Sequence, residues 1–389
     1  MRVVFVPDVG EFYGATEALL QMIPLLAENC GVEPVILTSG TGRITEFARE
    51  HGFECHAIGH PAFLDRVGST PLRRVVKWAL RPLYYARYRI TDQMAMKKAE
   101  QCVDFRTVDV IHTNVNRNDI GALLAKKYGI PHVWHIREIG ELEYRCVSLR
   151  KNEISFMNAH TAVFPVISQA VAGHWERKGI NPEKIRIIYD GVNQNKFVPG
   201  ERKEHDGLKI VFCGAVNKAK GQIQLIEAMA RLTPAEQKQI QVDIYGEGLK
   251  SYLAFLMGKI RKYGLEEQIS LLGYCDCLEE KLPDYDVGMM CSLSEGFGLV
   301  TVEYMMSQLC VIASDSGANP ELVRDGACGL LYRYGDIASL AEKLRYVLTH
   351  REEARAMGVR AREYACRYFT AERNAQEIYE LYRQLTGKS

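Results

Sequence analysis

Two glutamates flank a glycine-rich turn in the segment SEGFGLVTVE, residues 294–303. Glu295 comes just before the glycines Gly296 and Gly298, and Glu303 lies in the apolar segment that follows. Glycine lets the backbone turn sharply and approach a ligand closely, and the start of the helix predicted near Gly298 offers unpaired N–H groups to a phosphate. With a diphosphate bound there, Glu303 could accept hydrogen bonds from a ribose, and Glu295 from the group that the diphosphate carries. Taken alone, the spacing favours a simpler interpretation, in which Glu295 caps the helix and Glu303 faces solvent.

Two lysines precede another predicted helix, in the loop GAVNKAKGQIQLIEA. The ammonium group of Lys218 or Lys220 could neutralise the charge of a departing diphosphate, although lysines before a helix are also common on solvated surfaces. The loop SGANPELV follows a further predicted strand, and its Glu321 would be a third carboxylate in the same crevice. These loops support the ligand-binding interpretation of the two glutamates.

A histidine, His135, lies at the end of the predicted strand that contains His132. Residues three apart on a strand point to opposite faces, so the two imidazoles are not expected to share a metal ion. Two interpretations of His135 remain open: a contact to a ligand, or a buried histidine with a structural hydrogen bond.

Strand-like and helix-like segments alternate along the chain. Short apolar, β-branched runs separated by amphipathic segments predict parallel sheets that are covered on both faces by helices. In the first half, strands are predicted at residues 2–9, 33–38, 54–58, 108–113, 132–136, 162–167 and 185–189. In the second half, they are predicted in the segments LKIVFCGAV, QIQVDIYG, QISLLGY, DVGMMCS, CVIASDS and GLLYRYG.

A polar stretch at 193–207, NQNKFVPGERKEHDG, interrupts the alternation and is typical of a linker. The predicted fold is therefore α/β, with two doubly wound, Rossmann-like domains in tandem and a cleft between them. The domains are expected at 1–195 and 208–369, and a C-terminal helix at about 370–389 is expected to pack back on the first domain. Ligands of such sheets bind beyond the carboxyl ends of the strands, where the candidate residues lie.

Composition limits the classes of function. A chain of 389 residues suits two domains, and a net charge of +1 gives no general attraction to nucleic acid. Eleven cysteines without zinc-ligand spacing indicate reduced, mostly buried thiols and a cytoplasmic protein. No apolar run approaches the roughly 18 residues that cross a bilayer, and the beginning, MRVVFVPDV, is predicted to be a first strand rather than a signal peptide.

One stretch, residues 66–98, is strongly basic and contains aromatic residues. It has nine Lys or Arg against a single acid, Asp92, together with Trp78 and three tyrosines. Such a composition suits an anionic membrane surface, and it equally suits a solvated helical face whose apolar side packs on the first sheet. Nucleic acid is disfavoured as a partner, because no binding module is recognisable.

Several motifs, in their order along the chain, resemble those of the family-4 glycosyltransferases, which are retaining enzymes of the GT-B fold. The resemblance covers nearly the whole chain and is densest at 210–335. It rests on YGATEALL, PVISQAV, IIYDGVNQNKF, the Lys220-Gly221 pair, GYCDCLEEKLPDYDVGMMCSLSEGFGLVTVEYM and ASDSGANPELVRDGACGLL.

The resemblance implies a role for individual residues. Glu295 would contact the donor sugar, Glu303 the nucleotide ribose and Lys220 the diphosphate. Other residues would contribute mainly through the backbone or through single contacts to the donor. These are the amides of Phe297, Gly298 and Leu299, the loop from Gly10 to Gly14, and the His135 side chain, which would contact the sugar.

Two departures from the family pattern affect the expected diphosphate site. Where the family commonly has a Gly-Arg pair, this chain has Gly214-Ala215, so one cation is missing and Lys218 or Arg137 is a candidate to replace it. The first loop commonly contains Gly-Gly, whereas this chain has Tyr13-Gly14.

The resemblance implies a retaining transferase that moves a sugar from a nucleotide diphosphate sugar, with a UDP-sugar favoured, to a hydroxyl acceptor. The expected acceptor is a surface polysaccharide or a lipid-linked glycan at the inner membrane face, and no metal or other cofactor is expected. Two alternatives remain: a GT-B epimerase that binds a nucleotide sugar, and a Rossmann oxidoreductase, against which no G-x-G-x-x-G follows any predicted strand.

Overall fold

A computed structural model describes residues 1–7, 13–66, 71–139, 146–150, 152–200 and 206–388. The chain divides into two compact units, one formed by Met1–Gly191 with Ala371–Ser389 and the other by Val192–Thr370. The boundary thus lies before the polar stretch that was predicted as a linker. The reason is that the beginning of this stretch packs within the second unit: Arg362 Nη1 donates to Phe197 O at 2.9 Å, and Phe197 is buried.

The first unit is built on a parallel sheet with the strand order β3-β2-β1-β5-β6. Its strands are β1 (Arg2–Val6), β2 (Glu33–Thr38), β3 (Glu54–Ala57), β5 (Val110–Asn114) and β6 (His132–His135). A second parallel pair, β8 (Phe164–Val166) and β9 (Ile185–Ile187), continues beyond β6 through single bridges. Two short strands that the sequence did not predict, β4 (Leu64–Arg66) and β7 (Cys146–Ser148), pair antiparallel.

Helices cover the first sheet. They are α1 (Tyr13–Cys30), α2 (Arg43–Glu50), α3 (Pro71–Ala79), α4 (Arg81–Cys102), α5 (Ile120–Tyr128), α6 (Glu153–His160), α7 (Gln169–Lys178) and the last helix of the chain, Ala371–Thr386, with 3₁₀ turns at Phe105–Thr107 and Pro182–Lys184. The last helix packs with the strands, because Ile378, Leu381 and Tyr382 belong to the same apolar cluster as Val3 and Leu19.

The second unit has a parallel sheet with the order β12-β11-β10-β13-β14-β15. Its strands are β10 (Leu208–Cys213), β11 (Ile240–Tyr245), β12 (Ile269–Gly273), β13 (Val287–Met290), β14 (Cys310–Ser314) and β15 (Leu330–Tyr332). Its helices are α8 (Gln222–Met229), α9 (Pro234–Gln237), α10 (Lys250–Tyr263), α11 (Leu278–Lys281), α12 (Leu299–Met306), α13 (Asn319–Leu322), α14 (Ile337–Thr349) and α15 (Arg351–Tyr368), with a 3₁₀ turn at Leu282–Asp284. The last helix, Ala371–Thr386, is therefore α16.

In both sheets the first strand is internal, so the chain order reverses beside it. β1 lies between β2 and β5, and β10 lies between β11 and β13. Crevices form at the carboxyl ends of the strands at such reversals. The α/β class with parallel, doubly wound sheets is confirmed, and it brings the loops after β10 and β13 next to each other.

The cysteines are less buried than expected. The ten cysteines whose side chains the structure describes are all free, and four of them are buried: Cys213, Cys291, Cys310 and Cys328. The other six lie on partly exposed helices, edge strands and loops. The expectation was too broad because only some of the cysteines belong to apolar runs.

Candidate active site

Lys220 and Glu295 contact each other at the carboxyl ends of two neighbouring strands. Lys220 follows β10 and Glu295 follows β13, and Nζ of Lys220 lies 3.0 and 2.8 Å from the two carboxylate oxygens of Glu295. The lysine side chain is 29% exposed and the glutamate side chain 13% exposed. A charge-assisted pair of this kind, partly shielded from water, is stronger than an exposed one. The structure thus joins the two residues that the sequence proposed for the diphosphate and the sugar.

The lysine loop is shaped by its own side chains and by a glycine. Oδ1 of Asn217 accepts hydrogen bonds from the backbone N–H groups of Ala219 and Lys220, at 2.9 and 3.0 Å, which closes a turn. Gly221 then begins α8 with φ +74°, and a Cβ there would lie 2.2 Å from the carbonyl oxygen of Cys291. Only glycine allows this close approach, which holds Lys220 against the end of β13.

A third loop, which follows β14, fixes the backbone of Glu295. Ala318 N donates to Glu295 O at 2.9 Å, and Ser314 Oγ donates to Ser292 O at 2.7 Å. Gly317 has φ +61°, and a Cβ there would lie 2.4 Å from the backbone nitrogen of Glu295. Glu321 lies in the same loop, half-buried in the short helix α13.

We expect Gly317→Ala to reduce turnover at least about tenfold, because the added methyl group would push the Glu295 backbone away from Lys220. The left-handed backbone by itself would cost an alanine about 1–2 kcal/mol. Gly264→Ala is the matched control, since Gly264 has φ +66° and open space around its Cβ position. Initial rates and thermal unfolding of both variants separate the effects: we expect a larger loss of stability at Gly317, where the clash adds to the backbone cost, and a loss of rate only at Gly317. Equal rates in the two variants would contradict it.

The glycine turn leads into α12 as expected. Gly298 has φ +103° and gives α12 no side-chain cap, Phe297 is buried against the ring of Phe369 at 5.7 Å, and Leu299 is the first helical residue. Glu303 is the fifth residue of α12. Glu303 lies near Cys213 at the end of β10. Burial raises the pKa of the Cys213 thiol to about 12; the hydrogen bond with Tyr304 opposes that rise, and the charge of Glu303 adds to it.

Ala215 stands where the family commonly has an arginine, and it follows Gly214, which has φ +129°. Ala215 and Lys218 are both exposed.

Two buried glutamines that the sequence did not single out support the same loops. Nε2 of Gln222 donates to Ala215 O at 3.0 Å, and Nε2 of Gln224 donates to Cys291 O at 3.0 Å. Oε1 of Gln224 also accepts from Gly335 N at 2.9 Å. Glutamines in an amphipathic helix carry no sequence signal for such a role, because their partners are backbone atoms distant in sequence.

In the first unit, His135 and Arg137 lie in a buried polar cluster at the end of β6. His135 Nδ1 lies 3.2 Å from His112 Nε2. Arg137 Nε donates to Asn114 Oδ1 at 2.6 Å, and its Nη1 pairs with Asp190. Burial raises the pKa of Asp190 and the charge of Arg137 opposes that rise. The Arg137 side chain is only 1% exposed, so its use as a diphosphate contact would require it to leave Asp190.

Residues 8–12 of the loop after β1, Gly10 among them, lie outside the described residues. Gly14 is exposed in the first turn of α1, and the next residue, Ala15, accepts a hydrogen bond from Asn114 Nδ2 at 3.2 Å. The start of α1 therefore adjoins the His135 cluster.

His132 and His135 have different surroundings, as the strand geometry predicts. His132 bonds Thr113 and Thr161 at 2.8 and 3.1 Å, whereas His135 faces His112. Within the described ranges, no group of three His, Cys, Asp or Glu side chains is arranged to hold a metal ion.

Two family models match the chain, one on each unit. The model described as Glycosyltransferase Family 4 matches residues 14–196, and the model described as Glycosyl transferases group 1 matches residues 193–364. The matches meet close to the boundary between the units and together span 14–364.

Relatives and similar structures agree with these models. The protein EpsD of Bacillus subtilis (strain 168), provisionally named a glycosyltransferase, is 25% identical over 86% of this chain and 90% of its own. The lipopolysaccharide core biosynthesis mannosyltransferase LpcC of Rhizobium leguminosarum bv. viciae is 29% identical over 52% of this chain and 60% of its own. HepE of Anabaena, solved with UDP, superposes with a TM-score of 0.78 at 19% identity over 99% of this chain and 100% of that one. The chain belongs to the family-4 glycosyltransferases of the GT-B fold.

Proposed function

We propose that the protein transfers a sugar from a UDP-sugar to a hydroxyl group of a growing polysaccharide or lipid-linked glycan, with retention of configuration at the anomeric carbon. The observation that carries the proposal is the Lys220–Glu295 pair beside the start of α12. It puts a cation, a carboxylate and helix N–H groups within one small region, as a sugar diphosphate requires. Structures of HepE with UDP and with UDP-glucose support UDP as the carrier, and LpcC supports a glycan acceptor.

The described residues suggest how the second unit would act on the donor. The diphosphate would bind at the amides that begin α12, with Lys220 neutralising the charge that develops as the nucleotide leaves. Glu295 would accept hydrogen bonds from the sugar hydroxyls and Glu303 from the ribose. Because Lys220 and Glu295 contact each other, donor binding would exchange one contact of each residue for a contact to the donor.

The anomeric configuration would be retained if the acceptor hydroxyl attacks the anomeric carbon from the same face that the nucleotide leaves. The departing phosphate oxygen would take the proton of the acceptor hydroxyl, so that the protein supplies position and charge rather than a covalent nucleophile. Lys220 and the helix amides would supply the positive charge, and we infer that the reaction needs no metal ion.

A screen of nucleotides tests the donor. Unfolding temperature is measured in EDTA with UDP, GDP, ADP, their sugars and a nicotinamide dinucleotide. A ligand at 100 times its dissociation constant stabilises the fold by about 2.7 kcal/mol. We expect stabilisation by UDP and UDP-sugars. Stabilisation only by a nicotinamide dinucleotide would instead support an oxidoreductase.

Transfer itself is tested with the stabilising UDP-sugar and an acceptor extract in EDTA, and the anomeric configuration of the product is read by NMR. Retention without added metal is the expected result. Release of an epimerised sugar without transfer would support the epimerase alternative, and inversion would contradict the proposed chemistry.

We also infer that the protein binds the anionic surface of a membrane through one face of α4, at the cytoplasmic side where such glycans are assembled. Leu83, Ile90 and Met94 are 63, 60 and 66% exposed. At 3.6 residues per turn they fall within about 40° of one another. The buried residues Tyr88 and Ala95 lie on the opposite side of the helix.

The charges on and beside this face suit an anionic surface rather than another apolar protein. Arg87, Lys97 and Lys98 are exposed around the apolar residues. Asp92, the single acid of residues 66–98, is buried, and burial with the nearby Asp119 raises its pKa to about 7. Basic and apolar side chains interleaved on one helical face are typical of binding to lipid headgroups. No helix in the described part of the chain is long and apolar enough to cross a bilayer.

We expect Leu83→Gln, Ile90→Gln and Met94→Gln together to lower binding to anionic vesicles at least about tenfold, since each partly buried apolar side chain contributes about 1 kcal/mol or more. The matched control changes Leu249, Phe255 and Met257 to Gln; these are 78, 46 and 45% exposed and lie at or in α10. Sedimentation with vesicles of rising anionic lipid content measures the binding. Equal binding by both triple variants, or none by the wild type, would rule out the surface.

A further inference from the structure

A chain of hydrogen bonds runs through the interior of the first unit from Tyr382 to His135. The hydroxyl of Tyr382, on α16, lies 2.6 Å from His112 Nδ1, and His112 Nε2 lies 3.2 Å from His135 Nδ1. All three side chains are fully buried. The last helix of the chain is thereby connected to the residue at the carboxyl end of β6.

Arg137 indicates which nitrogen of His135 carries the proton. A guanidinium group only donates hydrogen bonds, and Nη2 of Arg137 lies 3.4 Å from His135 Nδ1. Burial, and next the charge of Arg137, hold the pKa values of His112 and His135 well below the ordinary value. Both rings are therefore neutral at pH 7, and each carries one N–H. Because Nδ1 of His135 accepts, its proton lies on Nε2.

The same reasoning fixes the proton of His112. Two lone pairs cannot face each other in a hydrogen bond, so His112 Nε2 must donate to His135 Nδ1. His112 Nδ1 must then accept from the hydroxyl of Tyr382. Burial raises the pKa of Tyr382 well above its ordinary value, so this hydroxyl keeps its proton. Every donor in the chain points toward His135.

The outer nitrogen of His135 is left as a donor. Nε2 is buried and bonds no residue in the described ranges, and a buried donor left unsatisfied is unfavourable. We propose that Tyr382, acting through His112, holds His135 in the Nε2–H tautomer, which donates a hydrogen bond to an oxygen of the bound sugar nucleotide. Tyr382 and His112 are positioning residues. The ligand in this statement rests on the proposed function, whereas the tautomer does not.

The tautomers are measured on the unliganded, full-length protein. Long-range ¹⁵N–¹H spectra after histidine labelling report which ring nitrogen is protonated, and His112→Gln and His135→Gln assign the signals. We expect Nε2–H for both rings in the wild type. Tyr382→Phe keeps the buried ring and removes the donor, so both rings should shift partly to the Nδ1–H form, in which His135 Nδ1 donates to His112 Nε2. Tyr379→Phe removes a hydroxyl from the same helix that takes no part in the series of hydrogen bonds. It should leave the tautomers of both His112 and His135 unchanged. Nδ1–H on His135 in the wild type, or no change in Tyr382→Phe, would overturn the proposal.

Kinetics test the contact to the donor. Tyr382→Phe should lower kcat about three- to tenfold, the scale of one weakened hydrogen bond, with KM changed less than about twofold. Tyr379→Phe should leave both constants unchanged, and thermal unfolding of the two variants controls for stability. The expected tautomers with an unchanged kcat would overturn the role of His135 toward the donor. If the wild type turns over no UDP-sugar, the proposed function fails while the spectra still decide the hydrogen-bond chain.

Discussion

Replacing Lys220 with methionine is expected to lower kcat for sugar transfer at least about a hundredfold, in the range found when one donor to the transition state is removed. Methionine keeps an unbranched side chain of similar length without the charge. The loss should be large because Ala215 stands where the family often has an arginine, so fewer cations share the charge of the leaving group. The variant also leaves the half-buried carboxylate of Glu295 without the ammonium that contacts both its oxygens. Initial rates at saturating donor measure the effect.

Lys218→Met is the matched control, because Lys218 lies two residues earlier in the same loop and is exposed. It should change kcat by less than about twofold. A loss of less than about fivefold in Lys220→Met, together with a larger loss in Lys218→Met, would show that the exposed lysine carries the diphosphate. Small losses in both would direct attention to Arg137 and would require its buried pair with Asp190 to open.

Alanine at Glu295 and at Glu303 should give different defects. Glu303→Ala should weaken binding of both UDP and the sugar donor roughly ten- to hundredfold, because hydrogen bonds to a charged group contribute about 1.5–3 kcal/mol and the ribose is common to both ligands. Glu295→Ala should leave UDP affinity nearly intact and lower kcat sharply, because its contact is to the transferred sugar. Titration calorimetry with UDP and initial-rate kinetics on both variants separate the two roles.

The Lys220–Glu295 contact makes one further variant necessary. Glu295→Ala both removes a sugar contact and frees Lys220, whereas Glu295→Gln keeps a hydrogen-bond acceptor and removes the charge. If Glu295→Gln has much of the rate that Glu295→Ala loses, the hydrogen bond to the sugar is the main contribution of Glu295. If Glu295→Gln is as slow as Glu295→Ala, the main contribution is the negative charge that orients Lys220. Equal loss of UDP affinity in the Glu295→Ala and Glu303→Ala variants would contradict the assignment of the two roles.

Local sequence patterns predicted most of the helices and strands, but they missed two short strands and misplaced the boundary between the two units. The strand at 33–38 agrees residue for residue with β2, because a β-branched run between polar residues has clear ends. β4 and β7 were missed, because Leu-Asp-Arg and Cys-Val-Ser are not part of apolar, β-branched runs like those that indicated the other strands. The domain boundary was displaced because Phe197, inside a polar stretch, is buried in the second unit.

The sequence identified which loops form the candidate site, but it did not predict which side chains in those loops contact each other. Glycines and charges after predicted strands identified the loops of Lys220 and Glu295, but their contact depends on β10 lying beside β13, which is set by tertiary packing. The His112–Tyr382 bond joins residues 270 positions apart. Nothing in the local sequence of either residue indicates such a partner, and Gln224 was missed for the same reason.

The place of α16 in the sequence determines the order in which the units can be completed during synthesis. The second unit is one continuous segment, Val192–Thr370, whereas the first needs Ala371–Ser389 as well. Chains emerge from the ribosome N-terminus first, at about 5–20 residues per second. The apolar faces of β1 and α1 that α16 covers therefore remain uncovered until residues 371–386 have been made. Nascent chains that stop before residue 371 would expose this apolar surface and lack the Tyr382 hydroxyl, and they would be a natural target for chaperones even though their second unit is whole.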